Sequence, residues 1–113
     1  MSEYQNKAIT LLNAEVGEHS VMDKDKRRNH FIQEALELFR TMGGSAETAR
    51  ALTTAAYSKP ASEVVVEIGD VMISLAGVGF VHDVDIVQAA YNRMDDGWKS
   101  IEAVPVKQGK RKF

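Results

Sequence analysis

PASEVVVEIGDVMISLAGVGFVH, residues Pro60 to His82, is the stretch whose reading decides the fold. It is apolar around almost its whole circumference (Val64, Val65, Val66, Ile68, Val71, Met72, Ile73, Leu75, Val78, Phe80), yet Glu63, Glu67 and Asp70 sit inside it. On local propensity the three valines and Gly69 favour a strand or a bulge, with a hairpin turning at Glu67 to Asp70 as the rival structure. A strand would send Glu67 and Asp70 to opposite faces, whereas a helix places Glu63, Glu67 and Asp70 on one stripe. The spacing therefore predicts a helix over 61–82. Three anions stacked on an otherwise buried helix repel one another and resist desolvation unless cations neutralise them.

A weaker copy of the pattern lies upstream in FIQEALELF, Phe31 to Phe39. Glu34 and Glu37, three apart, share a face, with Phe31, Ile32, Leu36, Leu38 and Phe39 around them. Taken alone, this pair reads as an exposed helical face. Two carboxylate-bearing helices packed together would form an oxygen-rich pocket suited to a hard divalent cation.

The rest of the chain constrains that picture. At 113 residues it has room for one domain and one core, so 1–113 is read as a single helical domain. Fourteen Lys and Arg against sixteen Asp and Glu give a net charge of −2, which supplies no overall field toward nucleic acid or an anionic membrane. The absence of cysteine removes disulfide scaffolds, thiolate zinc sites and cysteine nucleophiles, and suits a reducing cytoplasm. The start, MSEYQNKAITLL, lacks the pattern of a signal peptide, and the most apolar stretch carries acids that a membrane span would not. The expectation is a soluble cytoplasmic protein.

Five helices are expected and no strand. The first runs from Ser2 to about Val16 and ends at Gly17; Glu18 to Lys26 reads as a polar loop. The second spans Lys26 to Met42 and stops at Gly43 and Gly44. Ser45 caps the third, Ala46 to Tyr57, a thin spacer rich in alanine and threonine. Pro60 suits the first position of the fourth, where its missing N–H is no loss. His82, Asp83 and Val84 turn the chain, and Asp85 caps the fifth, Ile86 to Glu102, whose stripe is Ile86, Val87, Ala90, Met94, Trp98 and Ile101. Pro105 ends it, and 105–113 reads as a mobile basic tail.

In order, Gln33-Glu34-x-x-Glu37 and Glu67-x-x-Asp70 resemble the E-E-x-x-E and E-x-x-D signature of the all-α nucleoside triphosphate pyrophosphohydrolases, the MazG-like superfamily. NHFIQEALELF is similar to that family's first core helix, EIGDVMISLAGV to its second and VDIVQAAYNRM to the helix that follows, over Arg28 to Lys99. The resemblance implies a helical bundle with a four-helix core, assembled as a homodimer or homotetramer. It implies that Glu34, Glu37, Glu67 and Asp70 bind Mg²⁺, with Mn²⁺ as a substitute, against the phosphates of a nucleotide. The reaction implied is cleavage of a (d)NTP to the (d)NMP and pyrophosphate, with Glu37 orienting or deprotonating the attacking water. A phosphoribosyl-nucleotide pyrophosphohydrolase and a non-catalytic bundle for assembly or binding are the alternatives. Two positions depart from the pattern: Gln33 stands where the family often has Glu, and Arg93 and Gly97 stand where it commonly has Lys and Asn.

Around that set, Gln33 and Glu63 are read as supports to the ligands, Glu63 also favoured at a helix start. Arg93 and Lys59 are the cations placed to meet phosphate, each otherwise a solvated side chain. Trp98 could stack on a base, or serve as core or subunit contact. His19, His30 and His82 share no metal-ligand spacing and read as surface or cap residues.

Overall fold

The structure, a computed structural model, describes residues 1–103. The stop at Pro105 and the basic tail lie outside the described residues. The described chain is all helix: α1 (Glu3–Val16), α2 (Glu18–Met22), α3 (Lys24–Thr41), α4 (Ala46–Tyr57), α5 (Val64–Val81) and α6 (Ile86–Ala103). The strand and hairpin rivals for the Pro60 to His82 stretch are thereby set aside. The valine triplet and Gly69 lie inside one continuous helix.

Side-chain caps fix most of the boundaries. The Ser2, Asp23, Ser45 and Asp85 side chains accept hydrogen bonds from the backbone N–H groups of Gln5, Lys26, Thr48 and Gln88, at 3.1, 3.1, 3.1 and 2.9 Å. At the end of α3, Gly43 and Gly44 donate to the carbonyls of Arg40 and Phe39, both at 2.9 Å, with Gly43 at φ +94°. This is the six-to-one and five-to-two pairing of a Schellman turn. The same turn ends α5 with Asp83 in the left-handed position (φ +55°), donating to Phe80, while Val84 donates to Gly79 at 2.8 Å.

Two boundaries differ from the sequence reading. Residues 18–22 are helical rather than loop, and α3 starts at Lys24 behind the Asp23 cap. Gly17, at φ +84°, breaks α1 from α2, and a short helix needs no apolar stripe of its own to dock. At the other boundary Pro60 is not the first helical residue: α5 begins at Val64, and Glu63 is its extended N-cap, with φ −79° and ψ 144°. A proline φ serves an extended lead-in as well as a first turn, so the local signal cannot choose between them.

Packing is centred on α1 and α6, with α2 joining α1 to α3 and α5 leaning on α6. Tyr4 and Tyr91 meet edge to face at 6.2 Å, and the Lys7 ammonium lies 5.5 Å from the Tyr91 ring centre. Val16 and Met94 are buried here. Gly97 lets α1 close on α6, because a Cβ there would stand 3.0 Å from Leu11 Cδ2.

Beyond this seam the chain is open. Its radius of gyration is 16.0 Å, against about 13 Å for a compact domain of this length. The expectation that α5 is buried is not met within one chain: Gly79 is its one buried residue, and Val65, Ile73 and Phe80 are 73, 73 and 86% exposed. Val64–Val81 is also long and apolar enough to cross a membrane by length and composition alone.

Candidate functional site

Each acidic residue of the motif on α3 has a polar neighbour one turn away. Gln33 Nε2 donates to Glu37 Oε2 at 3.2 Å, and His30 Nε2 lies 3.5 Å from Glu34 Oε1. Both contacts are i,i+4 and place Gln33, Glu37, His30 and Glu34 along one side of the helix. Gln33, where the family often carries Glu, thus serves Glu37 as a hydrogen-bond donor.

On α5, Glu67 lies in the first turn and Asp70 one turn on, both exposed. Helices α3 and α5 do not pack along their lengths. They flank a common apolar cleft of 430 Å³ only at their C-terminal ends, through Leu38, Thr41 and Met42 on one side and Leu75, Val78 and Gly79 on the other. Asp70 lies about 7 Å back along the axis from Leu75, at 1.5 Å per residue. Within one chain, therefore, Glu34, Glu37, Glu67 and Asp70 do not converge. Among the described residues no group of three or more His, Cys, Asp or Glu side chains could hold a metal ion.

What does converge is a different set. Leu11 and Glu15 of α1, His30 and Glu34 of α3, and Arg93, Asp96, Gly97 and Ser100 of α6 line a polar cleft of 630 Å³. This brings together two residues named from the sequence, Glu34 and Arg93. It also includes Glu15, 9% exposed, and half-buried His30, which was read above as an ordinary surface residue. Arg93 reaches Asp96 Oδ2 at 2.9 Å, so its charge is shared with a carboxylate on its own helix. The four-residue step from His30 to Glu34 was the one sequence signal for this cleft. Nothing local marks Glu15, whose burial comes from the docking of α1.

The remaining candidates stand apart from this cleft. Glu63 caps α5 without a side-chain hydrogen bond, Lys59 is exposed after α4, and Trp98 is half-buried on α6 without lining the cleft. Gly97, where the family the sequence resembles commonly has Asn, brings no amide to the cleft wall and admits Leu11 instead.

Comparison of the chain with protein-family models, with curated proteins and with solved structures finds no match.

Proposed function

We propose that the protein is a Mg²⁺-dependent nucleotide pyrophosphohydrolase of the MazG-like kind, cleaving a (d)NTP to the (d)NMP and pyrophosphate as a homodimer or homotetramer. The observation that carries this reading is the 630 Å³ cleft, where a carboxylate of the first acidic motif, Glu34, and the phosphate-directed Arg93 face one volume. A cleft of that size, with a few convergent polar groups, suits a small-molecule ligand. In it Arg93 would orient an anionic group beside Glu34 and His30, while outside the cleft Gln33 would hold the rotamer of Glu37.

The metal belongs to the assembled protein in this reading, because the donors of a lone chain do not meet. Assembly has its own support in α5, which is apolar around almost its whole circumference and lacks cover among the described residues. A second reading, a non-catalytic bundle that binds or assembles, draws on the exposure of all four carboxylates and on the Arg93–Asp96 pairing.

Pyrophosphate release from a panel of standard, modified and phosphoribosyl nucleotides, with and without Mg²⁺, separates these readings. The enzyme reading expects hydrolysis that needs Mg²⁺ and falls at least about 100-fold in both Glu37→Gln and Asp70→Asn, the scale of one lost catalytic group. Activity that survives in both variants removes the metal set. No activity on any substrate, together with no heat of Mg²⁺ binding, leaves the scaffold.

A further inference from the structure

Two apolar features lack a partner among the described residues, and they match each other. The first is a groove of 580 Å³ between α3 and α4, with Leu36, Phe39, Ala49 and Thr53 along it and Arg40 and Arg50 beside them. The second is α5, whose only charged side chains are Glu67 and Asp70. Arg40, Arg50, Glu67 and Asp70 are all exposed, and none of them takes part in an ion pair among the described residues. An apolar groove with two cations thus stands in the same chain as an apolar helix with two anions.

We propose that the groove between α3 and α4 of one copy receives α5 of a second copy, with Arg40 and Arg50 facing Glu67 and Asp70. The same contact made twice about a two-fold axis gives a closed dimer. The surface needed is present. The chain exposes 9424 Å², against about 6,200 Å² expected of a compact monomer of its mass. The excess is about 3,200 Å². A standard interface takes about 800 Å² from each partner. A protein partner suits α5 better than a lipid bilayer, because the groove offers guanidinium groups to the two carboxylates and hydrocarbon offers none.

This docking goes beyond the metal reading and does not depend on it. It would seat Glu67 and Asp70 of one copy against the side of α3 that carries Leu36, Phe39 and Arg40, whereas Glu34 lines the cleft with α1 and α6 on the other side of that helix.

The test is a charge exchange in the full chain, read by sedimentation equilibrium with EDTA and with Mg²⁺. The variants are Arg40→Glu/Arg50→Glu, Glu67→Arg/Asp70→Arg and the four combined, with helix content checked by circular dichroism. Each double variant is expected to weaken association at least about 100-fold, as like charges meet across the contact, and the combined variant to restore it to within about tenfold. Restoration also shows that the reversed residues left the fold intact. A wild-type chain that is monomeric in both buffers overturns the docking, and phosphatidylcholine vesicles that bind such a monomer would identify lipid as what covers α5. Association unaffected by Arg40→Glu/Arg50→Glu overturns it as well. The EDTA arm separates this proposal from the metal reading: charge-dependent association without a divalent ion supports the docking even where no nucleotide is hydrolysed.

Discussion

Gly79→Ala tests the one place where α5 is tied to the rest of its own chain. Gly79 is buried at the turn between α5 and α6, and its carbonyl accepts the Val84 N–H at 2.8 Å and the His82 N–H at 3.2 Å. A Cβ built there would stand 2.5 Å from Ile86 Cγ2 and 2.8 Å from the Val84 carbonyl oxygen. The methyl belongs to a β-branched side chain with little rotamer freedom, and the oxygen belongs to the backbone of the turn itself. Relief therefore requires the turn to open. Overpacking of this kind costs about 1–3 kcal/mol, and loss of the Val84 hydrogen bond about 1 kcal/mol more, while alanine returns about 1 kcal/mol of helix propensity. The net expectation is a loss of about 1–3 kcal/mol, which lowers the melting temperature by roughly 5–15 °C in a domain of this size. Thermal melts at matched protomer concentration measure it, since association would shift both curves. Faster amide exchange at Val84 should accompany the loss. Gly77→Ala, just over half a turn from Gly79 and with nothing within 4 Å of its Cβ, gains the propensity without the clash and serves as the control. A Gly79→Ala protein that melts at or above the wild-type temperature, with Val84 still protected, would refute the account of this turn.

Gly97→Ala is expected to be milder, at most about 1 kcal/mol less stable, because the group it meets at 3.0 Å is the flexible end of Leu11. Its signature is a chemical-shift change at Leu11 and along α1 with little change in melting temperature. The Lys7 ammonium, bonded to Glu3 at 3.1 Å, is held protonated above the ordinary lysine range, first by that hydrogen bond and then by the Glu3 charge. A raised folded-state pKa contributes stability that is present below the unfolded value and lost as pH rises through the folded one, so the effect belongs to the alkaline range. Titration of Lys7 by NMR should show the rise and Glu3→Gln should remove its largest part, leaving the smaller effects of Tyr91 and Asp95, while full exposure leaves stability at neutral pH unchanged.

Where one side chain makes a boundary, the sequence was enough to place it. Ser45 and Asp85 accept the N–H groups three residues ahead, and Gly43 takes the left-handed turn that ends α3, so those ends fell where local chemistry put them. Pro60 failed as a marker because its φ is shared by two conformations, and the short helix after Gly17 was missed because its polar residues carry no stripe. The site divided in the same way. The i,i+4 geometry that puts Gln33 against Glu37 and His30 against Glu34 is local and could be read. The approach of Glu15 to that side of α3 depends on how α1 lands on α6, for which no short-range pattern exists.

The question left most open by the sequence was what surrounds α5, and the answer bears on its charges. An apolar circumference says that a helix must be covered, and says nothing about by what. While Glu67 and Asp70 stand in water, their mutual repulsion is weak and screened, and a lone chain tolerates them without a counter-ion. Once α5 is covered, the same two charges become costly unless cations arrive with the cover. Arg40 and Arg50 flank an apolar groove that would bring such cations, whereas any partner surface without positive charge would leave α5 less stable covered than free on that side. In the proposed dimer, covering the helix and neutralising its acids would therefore be one event, with Arg40 and Arg50 as the cations.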